Sequence, residues 1–351
     1  MLQVDYMVVG QGLAGTWVAR YLLQSGYSVA VIDHSAADRP SASRVASGIM
    51  NPVTGKRFVK TWQADTVLPF ARQAYQQLEQ QLGTSFFAQK PLVWLLQHIQ
   101  DLNHLQALSA EPDYVPYIET VQVATFDPAL QAHLGYAQLR TNCVQMSVFL
   151  TAFRQYLARQ NALIETPFDH KDLTLLPKGV QWRDISARHL IFCEGAAIRH
   201  NPYFDALPFV PAKGEALHIR LVGADFSRII LKNGVFIIHL DGDYYWAGTN
   251  YEHQDSTEQP TEAIRQQIAQ QISDTLRCPY EIVGHEAAVR PASLHRRPFV
   301  GIHPQYPQLS VLTGLGTKGV SLAPYYAAQL VRHLTEGSPI DTAVAIGRFW
   351  N

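Results

Sequence analysis

The chain has 351 residues, 28 Lys and Arg against 29 Asp and Glu, and a formal net charge of −1. That balance provides no field to recruit nucleic acid or an anionic membrane, while 47% hydrophobic and 16% charged residues describe a globular protein with a large core, long enough for two domains. Cys143, Cys193 and Cys278 are far apart, which argues against a disulfide framework and a zinc site. No apolar run approaches the roughly 18 residues of a membrane span, and the lack of a signal-peptide pattern leads us to expect a reducing cytoplasm.

Residues 4–9 form a short apolar run rich in β-branched side chains, expected as a buried strand. It leads into Gly10-Gln11-Gly12-Leu13-Ala14-Gly15. Helical periodicity follows over 13–23 with Gly26 as its stop, then an apolar strand over 28–32 ending at Asp33. Strand, glycine turn, helix, strand and acid make one complete βαβ unit. Gly10 permits the tight turn, Gly12 lets backbone approach a pyrophosphate, and Gly15 lets helix and strand pack closely. The helix N-terminus then faces the phosphates, and Asp33 accepts from a ribose hydroxyl. Dinucleotide binding is the expectation.

A polar loop is expected over 34–41, followed by the small-residue stretch Ser43-Arg44-Val45-Ala46-Ser47-Gly48-Ile49-Met50, suited to lying against a planar ligand. Gly55-Lys56 does not complete a phosphate loop, because Met50 and Arg57 occupy the other defining positions. Residues 68–82 read as an amphipathic helix stopped by Gly83, 92–96 as a strand and 144–159 as a helix. Strand-like pieces follow at 162–165 and 173–176. Residues 188–197 then read as a further strand of the nucleotide sheet ending in a small-residue turn. A proline-rich link at 208–211 leads to Lys213-Gly214-Glu215 and a run of strands as far as residue 250, with a hairpin turn at 241–243. Tyr244-Tyr245-Trp246 reads as strand packing, and 260–276 as a helix.

The last third holds Ala287-Ala288-Val289-Arg290-Pro291, then Pro298-Phe299-Val300-Gly301 and a strand over 309–313. Gly314-Leu315-Gly316-Thr317-Lys318-Gly319 opens a helix to about residue 334 that tolerates Pro324 near its start. No strand and acid follow this second GxGxxG, so it reads as a helix N-terminus aimed at an electron-rich group. The scattered histidines show no metal spacing, and no metal is expected.

Taken in this order, GQGLAG with Asp33, SRVASGIM, FCEGAA, KGE, AGTNYE, AAVRP, PFVG and GLGTKGVSLAP resemble the FAD-dependent D-amino-acid oxidase superfamily, nearest in pattern to glycine and sarcosine oxidases. The resemblance spans essentially the whole chain. It implies an α/β fold: a Rossmann-type FAD-binding domain from 1–80, 145–207 and 285–351, and a mixed-sheet α+β substrate domain from 81–144 and 208–284. It places the adenosine half of FAD on Gly10, Gly12, Leu13, Ala14, Gly15, Asp33 and His34. Ser43, Arg44, Ser47, Gly48 and Met50 would approach the ring system, Phe168 would offer backbone to the adenine, and Gly195 would close that side. Gly314, Gly316, Thr317, Lys318 and Gly319 would border the pyrimidine edge, where a helix N-terminus and Lys318 stabilise negative charge. Arg290 matches the arginine that grips a substrate carboxylate with bidentate geometry.

The sequence departs from the family pattern in several places. Asp33 stands where Glu is frequent, and His295 stands where the family has an acid. Thr317 replaces the arginine of the glycine oxidase pattern. No cysteine lies near Ala288, so the FAD is expected to be non-covalent. The implied reaction is oxidation of the C–N bond of a small amino acid or N-methyl amino acid by hydride transfer to flavin, with oxygen or a quinone accepting the electrons. The alternatives are an FAD-dependent dehydrogenase of a 2-hydroxy acid or polyol, and a non-catalytic FAD-binding subunit. The oligomeric state is open.

Overall fold

Strands and helices are numbered in chain order in the computed structural model, which describes residues 2–34 and 41–350. Most of the polar loop expected over 34–41 therefore lies outside the described residues. Strand β1 (Leu2–Val9) sits between parallel neighbours β2 (Val29–Asp33) and β14 (Ile185–Phe192). Helix α1 (Leu13–Gln24) makes the crossover from β1 to β2. It is driven onto the sheet by Trp17, Val18 and Leu22, all fully buried. The sheet extends on one side through β11 (Leu163–Glu165). On the other it continues antiparallel through β13 (Gly179–Trp182) and β12 (Leu173–Leu176). Strand β21 (Leu309–Thr313) joins β14 in parallel and carries β20 (Phe299–Ile302).

Strand alternation sends Tyr6 and Val8 to one face and Met7 and Val9 to the other, giving two separate core layers. The Tyr6 face is covered by α1 together with α3 (Ala64–Leu82), α5 (Met146–Arg159) and α7 (Gly319–Glu336). Pro324 is the sixth residue of α7. The carbonyl of Val320, which proline leaves without its helical donor, accepts the Tyr75 hydroxyl at 3.0 Å.

The second sheet runs β19 (Tyr280–Arg290), β15 (Ala212–Leu221), β18 (Tyr244–Gly248), β17 (Val235–Asp241), β16 (Ile230–Asn233), β7 (Leu92–Leu96), β9 (Gly135–Leu139) and β8 (Ile118–Gln122). All pairs are antiparallel except β16 with β7. Helix α4 (Ile99–Ser109) packs at the β8–β9 end, and α6 (Glu262–Ser273) covers Leu217, Ile219, Ile237 and Tyr245. The opposite face, with Ala216, Ile230, Ile238 and Trp246, joins the core of the first sheet's helices. Residue 285, where a return to the nucleotide unit was expected, falls inside β19. Pairing with β15 keeps the chain in the mixed sheet as far as Arg290.

Short elements fill the seam between the sheets: α2 (Ala42–Val45), β3 (Ile49–Met50), the hairpin β4 (Val53–Thr54) with β5 (Val59–Lys60), β6 (Phe87–Gln89) and β10 (Asn142–Val144). The helix expected from 144 begins at Met146, because Val144 is held in β10 opposite Phe87. A long-range ladder decides that boundary.

Candidate active site

The glycine turn is built so that three backbones touch. Gly10 has φ +94°, and a Cβ there would lie 2.5 Å from the Cys193 carbonyl oxygen at the end of β14. A Cβ on Gly15 would lie 1.7 Å from the Gly10 carbonyl oxygen. Only glycine fits at either position. At the start of α1, the Leu13 N–H donates to Ser43 Oγ at 3.0 Å. The Ala14 and Gly15 N–H groups have no protein acceptor among the described residues. Free amides at the positive end of a buried helix, with a glycine-lined approach, fit a dinucleotide pyrophosphate.

Ser43 and Arg44 ride on α2, and Ser43 sits against Gly12, where a Cβ would come within 2.9 Å of its Oγ. The structure thus brings Ser43 to the glycine turn. Gly48 has φ +77°, and a Cβ there would lie 1.9 Å from the Val144 carbonyl oxygen. The Ser47 carbonyl accepts the Cys143 thiol at 3.6 Å. Met50 is buried at 1% exposure, with its side chain in the core.

Asp33 closes β2. Its Oδ1 accepts the Gln11 N–H at 3.0 Å, and its Oδ2 pairs with Arg154 Nη1 at 2.7 Å. Arg154 also donates to the His34 carbonyl at 2.7 Å and to Glu165 Oε1 at 3.0 Å. Each Asp33 oxygen keeps lone-pair capacity for a ribose hydroxyl. Sequence reasoning missed Arg154. Its signal was available: an arginine at an inward position of α5, among the buried Leu150, Phe153 and Leu157. Phe168 stacks on Trp182 with centroids 5.1 Å apart, and the Trp182 indole N–H holds the Asp169 carbonyl at 3.0 Å. Gly195 follows β14, and a Cβ there would meet nothing within 4 Å.

At the other end, the Gly316 N–H donates to the Pro291 carbonyl at 3.0 Å, joining the GLGTKG turn to the strand that carries Arg290. Gly314 has φ +73°, Gly319 opens α7, and Thr317 is exposed. Lys318 Nζ donates to Thr61 Oγ1 at 3.3 Å, and Thr61 in turn donates to the Asn51 carbonyl at 2.8 Å. Burial pulls the Lys318 ammonium down to a pKa of about 8. His295 is exposed.

The Arg290 guanidinium lies flat across Gly214, where a Cβ would come 1.7 Å from Nη2. Nη1 donates to the carbonyls of Lys213 (3.2 Å) and Asn250 (3.3 Å), and Nη2 to Thr249 Oγ1 (2.9 Å). These partners are all neutral. Nε and one Nη2 hydrogen remain free among the described residues, leaving one fork of the guanidinium for a ligand. Tyr245 and Trp246 point to opposite faces of β18: Tyr245 packs under α6, and the Trp246 indole holds the Val45 carbonyl at 3.0 Å. The sequence reading also missed Lys232 on β16. Its Nζ lies 3.2 Å from the Trp94 ring centroid and 4.9 Å from that of Phe236. Burial, reinforced by the charge of Lys318, lowers its pKa to about 7.

A family model described as FAD dependent oxidoreductase matches residues 5–334. The glycine oxidase of Bacillus licheniformis is 22% identical over 360 aligned positions, covering 96% of this chain and 94% of that protein. The crystal structure of glycine oxidase from Geobacillus kaustophilus superimposes with a TM-score of 0.80 at 18% identity, over 99% of this chain and 98% of that one. Iminodiacetate oxidase from Chelativorans sp. BNC1 superimposes at 0.79 and 18% identity, over 96% and 97%. At these identities the two structures speak for the fold alone.

Proposed function

Since the chain belongs to the FAD-dependent oxidoreductase family, with the model matching nearly its whole length, we propose that it oxidises the C–N bond of a small amino acid or N-methyl amino acid. The protein is an FAD enzyme, and the bound flavin supplies the acceptor for the hydride. The chain's own work is placement. Gly10, Gly12, Ala14 and Gly15 hold the pyrophosphate, with Ser43 supporting the turn. Asp33, oriented by Arg154, holds the ribose.

The observation that carries the substrate assignment is the half-used guanidinium of Arg290. It is fixed by three neutral acceptors, offers one open fork, and has no carboxylate of its own among the described residues. A carboxylate-bearing substrate completes it with a charge-assisted, bidentate contact. That requirement favours an amino acid over a polyol. Lys318 adds positive charge beside the GLGTKG turn.

Attachment of the flavin is non-covalent in this reading. Burial pushes the Cys143 thiol up to about 11 and the Cys193 thiol higher still, so neither offers a thiolate near neutral pH. The test is an anaerobic screen of amino acids and N-methyl amino acids against the yellow holoprotein. Bleaching of the flavin by at least one is expected; bleaching by hydroxy acids or polyols alone would overturn the assignment.

A further inference from the structure

Two enclosed cations share one face of the mixed sheet. Cross-strand register aligns Ala216, Gly248, Phe236 and Lys232 over β15, β18, β17 and β16. Arg290 lies over Gly214, two residues before Ala216 on the same face of β15. Between the two cations the floor is the Ala216 methyl, the edge of the Trp246 indole, which covers Gly248 at 2.9 Å from where a Cβ would stand, and Phe236, next in the row before Lys232. Trp94 stands beside Lys232. Three strand spacings, roughly 14 Å, separate the backbones of β15 and β16. Both side chains are partly buried and keep some accessible surface. No carboxylate of the described residues pairs with Arg290, Lys232 or Lys318. Of the other enclosed cations, Lys213 is answered by Asp255 and Glu215 and Arg154 by Asp33 and Glu165, whereas Arg20 lies against the Trp17 and Tyr21 rings without a carboxylate among the described residues.

A partly buried ammonium with aromatic rings but no carboxylate beside it is costly until an anion arrives. One substrate carboxylate satisfies Arg290, and Lys318 belongs to the GLGTKG end. Lys232 is left over. We propose that Lys232 anchors a second acidic group of the substrate, so that the enzyme takes amino acids carrying a further carboxylate several atoms from the first, reaching from Arg290 past the Trp246 and Phe236 rings to Lys232.

This rests on the carboxylate-bearing substrate assigned above, and it can be read without turnover. Holoenzyme is titrated with matched non-oxidisable acids, valerate against glutarate and hexanoate against adipate, following the perturbation of the visible flavin spectrum. Each pair differs only in replacing a terminal methyl by a carboxylate. Wild type should bind the diacid about 10–100-fold more tightly, the range of a hydrogen bond to a charged group. Lys232→Met keeps the apolar stem on Trp94, so its FAD content should match wild type, and the ratio should fall to near one or below. An unchanged ratio in the variant, or a wild type that prefers the monoacids, overturns the proposal, as does a variant altered only in flavin reoxidation. If no amine bleaches the flavin, the reaction assigned above fails while this titration still decides the subsite.

Discussion

A single methyl group at position 214 would occupy the space of the Arg290 guanidinium, since a Cβ there falls 1.7 Å from Nη2. The obstructed atom is the movable end of a long side chain. Gly214→Ala is therefore expected to leave folding and FAD content near wild type and to weaken flavin reduction by the amino acid found in the screen. Half-saturation and limiting rate measured anaerobically check this. Arg290→Leu should also keep FAD but lose roughly 10²–10³-fold or more in kcat/KM, from the about 3–5 kcal/mol cost of breaking a buried charged pair. Arg290→Lys should recover only part, because an ammonium cannot fork. Wild-type kinetics in the Leu variant would remove Arg290 as the anchor. At the end of β2, Arg154→Leu takes away the charged donor on Asp33 and the donor on the His34 carbonyl. FAD affinity should fall about 10–100-fold, measured by flavin titration of the stripped protein.

At the scale of elements, the strand that carries Gly214 is anchored from its other face. Lys213, 1% exposed, pairs with Asp255 Oδ2 at 2.5 Å and lies 3.4 Å from Glu215 Oε1. Glu215, equally buried, accepts the Thr261 N–H at 2.8 Å and its hydroxyl at 3.0 Å, fastening the start of α6. His285 Nε2 stands 2.9 Å from Glu215 but out of line for a hydrogen bond. Lys213→Met should destabilise the protein by about 3–5 kcal/mol, because Glu215 would remain buried without its cation. A urea midpoint equal to wild type would show the network to be dispensable. The KGE triplet stands out in the sequence. Its partners lie some 40 residues on, in a segment with no periodic pattern, so only folding brings them together.

For the whole molecule, the two lowered lysines set a pH dependence. Lys232 at about 7 and Lys318 at about 8 hold fewer protons folded than unfolded, where a lysine titrates near 10.5. Stability rises with pH wherever the unfolded chain binds more protons. Between pH 7 and 8.5 the FAD-free protein should therefore gain about 2 kcal/mol from these two groups, read as a rising urea midpoint. Above that window the raised pKa values of Cys143 and Cys193 act in the opposite direction, because the unfolded thiols ionise first. Lys232→Met should flatten the rise, and a midpoint that falls from pH 7 to 8.5 in wild type would refute the account.

The sequence by itself determined the parts whose physics is local. The β1–α1–β2 unit is legible because strand, glycine turn, helix and acid are contiguous, and Gly10 and Gly15 answer to backbone within the turn or to the strand beside it. The apolar runs of β14 and β21 are legible as buried strands for the same reason. Arg290 and the GLGTKG turn could be singled out by resemblance, although nothing local shows what surrounds them. Tertiary structure decided the rest. The ladder of β10 moved the start of α5, and pairing with β15 carried β19 through residue 285. Arg154 could have been found as a charge on an apolar helix face, but its target Asp33 is 121 positions away. A lysine such as Lys232 ordinarily points to solvent from a strand. Here the helices of the first sheet cover that face and make it an interior cation. Which charged groups meet in a cleft depends on strand order and register, and these are set by long-range pairing that no local stretch of sequence encodes.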